Sequence, residues 1–212
     1  MKIIKVFIAF CAAAIVGIAA LVVGACGTNG AFDGAVDISE ITKDSVKHGQ
    51  IVTGEVYDIW DRFAVQEKEE DGETITVAGY YTMLMPYSYH EEAPVFIGIS
   101  STIQNEIDGL EQMRSEIEGI VNDEASADGY TKMKFRGKIA RLDDTKLLYL
   151  KVSVAQLLGI TENEAENYIA PYVIESYNGS DFLPVLIAGI VLTIVGISGA
   201  LILFFKDAGD EN

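Results

Sequence analysis

Five cations fall within ten residues of this chain: Lys132, Lys134, Arg136, Lys138 and Arg141. The first four alternate with Met133, Phe135 and Ile139, so a strand over Thr131–Ile139 would carry cations on one face and apolar side chains on the other. Clustered like charges raise the local potential, so such a row can hold an anionic ligand, lipid headgroups or a polyanionic envelope polymer. The plainer reading is a solvated face, or an edge kept from aggregating by its charge and paired with an acidic helix. Nucleic acid is not an expected partner. The formal net charge is −17, and no basic surface interleaved with aromatics stands against it.

Other chemistry finds less support. The acidic runs Glu69, Glu70, Asp71, Glu73 and Glu91, Glu92 beside His90 invite calcium, but no loop has the Asp-rich spacing of a calcium-binding hand, and they read as solvated turns. His48 and His90 are the sole histidines, and neither cysteine lies near them, so no zinc set is present. There is no Gly-x-Ser-x-Gly elbow, Gly-rich phosphate loop or dinucleotide fingerprint, and Ser100-Ser101 is better explained as helix capping. A glycosidase-type carboxylate pair would have to be chosen among many acids, and the sequence does not choose. Asn178-Gly179-Ser180 reads as a turn. No catalytic, cofactor-binding or metal-ligating residue is assigned, and no cofactor is expected.

Positioning starts at the ends. Val6–Ala25 and Leu183–Phe205 contain no charge, and roughly 20 apolar residues cross a bilayer core. The second stretch has fifteen Leu, Ile, Val and Phe residues, for an insertion gain of roughly 5 to 9 kcal/mol, and the first has ten, for roughly 3 to 6. The expected division is therefore a transmembrane helix over 1–26, a linker over 27–49, a domain over 50–180, a second transmembrane helix over 181–206 and a tail over 207–212. Lys2, Lys5 and Lys206 flank the spans, so the positive-inside rule puts both termini in the cytoplasm and the domain outside a plasma membrane. The rival for the N-terminus is a lipoprotein signal. Val23-Gly24-Ala25-Cys26 loosely matches a lipobox, with Cys26 as the lipidated residue, although the apolar run exceeds the usual length of about 7–15 residues. Cys11 and Cys26 both belong to the first apolar segment, which leaves the domain without a disulfide.

Small residues recur in both spans with one spacing: Ala13, Gly17, Ala20 and Gly24, then Gly189, Thr193, Gly196 and Ala200. Each set makes a narrow helical seam where backbones can approach, so the spans are expected to pack antiparallel or to seat the helix of another membrane protein. Ala and Gly make up nine of the twenty residues in the first span, so chance alone could produce a seam there.

Between the spans, Ile51–Val65 reads as a long strand bent at Gly54, and Asp71-Gly72 as a hairpin turn. Ile75, Val77, Tyr81, Met83 and Met85 share one strand face, and Val95–Ile99 makes a third strand. Ser101 with Gln104 forms a capping box for a long amphipathic helix on Ile103, Ile107, Leu110, Ile117 and Val121, with acids on its other face. Asp144–Leu158 reads as helical, Thr161 with Glu164 caps a short helix, and Tyr172–Tyr177 is a last strand. The fold class is α+β with mostly antiparallel strands. Three strands, a helix and further strands are also the order of an OB-like barrel, a fold that serves many ligands. By span placement and the Gly54-Glu55-Val56-Tyr57 strand, the chain resembles uncharacterised bacterial two-pass membrane proteins with one extracytoplasmic domain of unknown function. That resemblance carries over no functional residue. The expected function is a membrane-anchored, non-enzymatic binding or scaffolding module whose ligand is unknown. Its alternatives are an acid-dependent extracytoplasmic hydrolase and a ligand-binding lipoprotein.

Overall fold

The computed structural model describes residues 2–32, 34–70, 72–90, 93–122, 131–178 and 183–209. Along the chain the elements are α1 (Lys2–Phe32), β1 (Val36–Asp37), β2 (Ile51–Val56), β3 (Ile59–Glu70), β4 (Glu73–Leu84), β5 (Phe96–Ser101), α2 (Gln104–Val121), β6 (Met133–Arg141), α3 (Asp144–Leu158), α4 (Glu162–Ala165), β7 (Ile169–Ser176) and α5 (Leu183–Gly209). They form two compact units, 35–177 and the terminal segments 1–34 with 178–212. In the terminal unit α1 packs against α5, and the apolar stretches Val6–Ala25 and Leu183–Phe204 are long enough to cross a membrane.

Unit 35–177 is a mixed α+β domain on one seven-stranded sheet, in the order β1-β2-β6-β7-β5-β4-β3. Neighbours run antiparallel except β1 with β2 and β5 with β7. The sheet does not close, which corrects the OB-like expectation. β2 and β3 are joined by Tyr57 and Asp58 alone yet lie far apart in the strand order, and no ladder joins them. The sheet must therefore curl without sealing. Asp58 makes the corner at φ 57, a left-handed conformation that Asp tolerates better than most residues, so the long strand expected through Val65 breaks there rather than bending at Gly54. Order of elements alone does not say whether the last hydrogen-bonded seam forms, and here helices cover both faces instead.

On one face Tyr81, Met83, Ile97, Ile99, Phe135, Ile139 and Ile174 bury against Leu110 and Met113 of α2. On the other, Phe96, Ile169 and Val173 bury against Leu150, Val154 and Ala155 of α3. β4 serves both layers by strand alternation: Tyr81 and Met83 point to α2, while the Thr82 hydroxyl meets Ser153 of α3 at 2.7 Å. Gly79 is required beside Tyr81, since a Cβ there would lie 2.6 Å from the ring.

The expected linker also needs correction. Ile38, Ile41 and Val46 are all buried in the α2-side core, so the second half of 27–49 belongs to the domain. Asp37 starts that segment by accepting the Ser39 N–H at 2.8 Å, and turn-rich neighbours hid its three apolar anchors from the sequence pattern. At α2 the expected capping box is replaced. Ser101 Oγ accepts the Ile103 N–H at 2.9 Å and donates to Glu106 at 2.6 Å, leaving Gln104 to bond Asp108. The Thr161–Glu164 box forms at α4.

Candidate functional site: an open basic sheet face

Alternation along β6 turns Met133, Phe135 and Ile139 inward and Lys134, Arg136 and Lys138 outward, with Lys132 just ahead of the strand in the same phase. Arg141 has the opposite phase, opposite Tyr172 of β7, so it does not extend the row. On the β2 side, Ile51, Thr53 and Glu55 lie opposite Lys138, Arg136 and Lys134. On the β7 side, Glu175 lies opposite Lys138, and the Tyr177 N–H donates to the Arg136 carbonyl at 3.0 Å. α3 packs over β3, β4 and β7, and among the described residues Thr53 and Glu55 of β2 and Lys134 and Lys138 of β6 stay exposed on that outer face.

The cations on this face are not equivalent. Lys132 Nζ reaches Glu55 Oε2 at 3.7 Å and stands 5.2 Å from the Tyr57 ring centre. Its charge also opposes the upward push that burial gives the Asp58 carboxyl. Arg136 is half-buried. Lys134 and Lys138 are exposed and make no ion pair with a described residue. With Tyr57 and Tyr177 at its margins, the face offers exposed cations to an anion.

A second polar cluster, on the α2 side, was not anticipated. Glu111 Oε1 accepts from Arg62 at 2.6 Å and from the buried Tyr81 hydroxyl at 3.1 Å, while Oε2 accepts from Arg114 at 2.9 Å. Arg114 also reaches Glu118 at 3.0 Å. Burial pushes the Glu111 carboxyl up, but these hydrogen bonds and the two guanidinium charges outweigh it and leave it below its usual range. Burial and then the Glu111 charge push the Tyr81 phenol well up, so it stays a donor. Both carboxylate oxygens of Glu111 are engaged within the cluster, Oε1 by Arg62 and Tyr81 and Oε2 by Arg114. Glu111, Arg114 and Glu118 follow helical spacing and could have been paired from sequence, but Arg62 and Tyr81 come from distant strands.

Beside it lies a cleft of about 380 Å³ whose lining includes Trp60, Asp61, Glu118 and Leu157. The Trp60 Nε1 is buried without a hydrogen-bond partner among the described residues. Asp58, the buried acid, does not line that cleft. Among the described residues no group of three or more metal-ligating side chains converges. Glu69, Glu70 and Glu73 are exposed on the β3–β4 hairpin and His48 is exposed, while Asp71, Glu91, Glu92 and the His90 side chain lie outside the described residues.

In the terminal unit the glycines meet across the helix pair. A Cβ on Gly17 would fall 2.5 Å from the Thr193 nitrogen, on Gly24 2.6 Å from Leu186, on Gly189 2.6 Å from the Leu21 nitrogen and on Gly196 2.5 Å from that of Ala14. Partners rise along α5 as they fall along α1, which is an antiparallel register. Ala20 backbone also faces Gly189, whereas Ala14 and not Ala13 faces Gly196, and Gly199 rather than Ala200 meets Phe10. Thr193 Oγ1 returns its hydrogen bond to the Gly189 carbonyl at 2.8 Å. Cys26 lies within α1, its side chain outside the described residues.

A family model defined as a domain of unknown function, DUF8577, matches residues 1–205. The chain belongs to that family. The DUF8577 match spans α1, the whole domain and most of α5, so the apolar helices are part of what defines the family. No curated protein and no solved structure matches the chain.

Proposed function

We propose that this DUF8577 protein is a non-enzymatic, two-pass membrane-anchored module, with both termini cytoplasmic and the domain outside, that takes an anionic partner on the open face of β2 and β6. The observation carrying this reading is the pair Lys134 and Lys138, exposed and without an ion pair to a described residue, in a chain of net charge −17. Ion pairing within such an acidic chain would be easy to arrange, so cations kept exposed on an uncovered face favour an external anion.

The fit of α1 to α5 supports an uncleaved N-terminus. Cleavage before Cys26 would strip α5 of the backbone that fills Gly189 and Gly196, and in lipid such close contact is what holds helices together. Both seams are used within the chain, so a partner protein's helix would have to dock elsewhere on the pair. The hydrolase alternative has little to work with. A glycosidase needs two free facing carboxyls, and of the two that line the cleft, Asp61 and Glu118, the second is tied to Arg114, while the buried Asp58 does not line it.

The test uses the full chain in neutral-lipid nanodiscs with labelled poly-glutamate and polyphosphate as probes. At low salt, binding to at least one is expected, with a roughly tenfold loss in Lys134→Glu/Lys138→Glu and a further loss as salt screens the contacts. Absence of binding to both probes, or binding indifferent to the double reversal, overturns the reading. Intact mass retaining Met1 is expected; a lipidated Cys26 at the N-terminus would replace the two-pass topology with the lipoprotein alternative.

A further inference from the structure

β4 pairs with β5 only from Gly79 onward, so Gln66–Glu70 and Glu73–Ala78 continue past β5 as a two-stranded ribbon. At about 3.3 Å per residue the ribbon is roughly 17–20 Å long. It carries five acids in the seven residues Glu67–Glu73, the densest anionic run in the chain. A lone two-stranded ribbon is marginally stable in water, and this one leaves Ile75 40 % exposed, so it stands to gain from being covered.

We infer that the anion taken by the basic face is the acidic β3–β4 ribbon of a second copy of this chain. The inference rests on the anion-binding reading of that face. Three observations select this occupant. The first is spacing. Glu67 and Glu69 lie opposite Thr76 and Thr74 and share one face of the ribbon, with the same two-residue repeat as Lys134, Arg136 and Lys138. The second is charge. The ribbon is the chain's most concentrated exposed anion, and the β6 row is its most concentrated cation outside the Glu111 cluster.

The third is that one copy cannot make the contact with itself. Met133, where β6 begins, pairs with Val56 beside the Asp58 corner, and Glu67 lies nine residues farther along, about 25–30 Å away. Pair by pair across the sheet, Glu67 and Glu69 stand on the same side as Lys134 and Lys138, the side where α3 packs over β3, β4 and β7. Side chains on one side of one curled sheet point outward and diverge, so they meet only when a second sheet faces the first. Ribbon on face is a contact between unlike surfaces, and two copies in one bilayer satisfy it reciprocally about a two-fold axis normal to the membrane.

The experiment co-expresses two differently tagged full-length copies in membranes. One bears the reversed face, Lys134→Glu/Lys138→Glu, and the other the reversed ribbon, Glu67→Lys/Glu69→Lys. Wild-type copies are expected to co-purify. Each variant paired with itself should lose co-purification at least tenfold, and the mixed pair should regain it, because both reciprocal contacts are again between opposite charges. In a Cys11→Ser/Cys26→Ser background, Glu69→Cys on one copy and Lys134→Cys on the other should give a disulfide carrying both tags on mild oxidation. Failure of the mixed pair to recover, together with no mixed disulfide, overturns the inference. If poly-glutamate still binds the face in that case, the face takes another anion and the proposed function stands. Loss of both removes the two together.

Discussion

Arg62 and Arg114 on the α2 side of the sheet are bound by Glu111 and Glu118, whereas Lys134 and Lys138 on the outer side of β6 have no ion-pair partner among the described residues. One domain thus treats its cations in two ways. The first group sits on a buried tyrosine and acts as part of the fold. The second has no such contact, and on the proposed reading it serves something outside the domain. The difference can be broken by substitution, because the two groups must respond oppositely: one in stability, the other in binding.

The largest effect is expected from Glu111→Ala. It leaves the Tyr81 hydroxyl buried without its acceptor and two guanidinium groups without their common carboxylate, and should cost about 2–3 kcal/mol. Urea denaturation of the full chain in detergent, followed through the single Trp60, reads this directly. A midpoint equal to wild type would mean that the cluster is ornamental and that the contrast between the two cation groups is false.

Acid gives a second reading of the same group. The folded Glu111 carboxyl is held below the usual glutamate range, so its contribution is fully present above that range and is lost as pH falls through the folded value. Wild type should therefore lose more stability on acidification below about pH 4.5 than Glu111→Gln does. Parallel curves for the two proteins would remove the ionic part of the interpretation. Tyr81→Phe is milder. It deletes one hydrogen bond but keeps the ring against Gly79 and leaves both arginines on Glu111, so a cost of about 1 kcal/mol is expected in the same denaturation assay.

These two regions were unequally legible in the sequence. Alternation exposed the β6 row, because cation and core positions interleave along one strand and need no tertiary knowledge. Arg141 was assigned to the row by proximity, and strand phase removes it. The Glu111 cluster shows in the sequence only as acids on the outer face of the amphipathic helix, because its arginine and tyrosine partners from β3 and β4 are brought in only by the fold. The glycine seams were legible as spacing, but their exact partners depend on the rotation of each helix, which shifted contact from Ala13 to Ala14 and from Ala200 to Gly199. Ile38, Ile41 and Val46 were lost in a turn-rich stretch whose apolar residues follow neither strand nor helix period. The OB-like reading failed at the one hydrogen-bonded seam that would have joined the two ends of the sheet.

The smallest expected change in stability comes from Lys134→Ala/Lys138→Ala, and it is the most informative about function. Both side chains are exposed, and substitutions away from packing and capping features stay within about 0.5 kcal/mol. Cross-strand neighbours limit even that, since Glu55 keeps Lys132 and Glu175 merely loses an exposed neighbour. Denaturation midpoints should then coincide with wild type while poly-glutamate binding in nanodiscs falls about tenfold. A stability loss comparable to that of Glu111→Ala would place these lysines in the fold instead, as charges that hold β2 and β7 to β6. Coincident midpoints with unchanged binding would leave the open face without a role. Only the separation of the two readouts distinguishes a surface kept for a partner from a surface kept for folding.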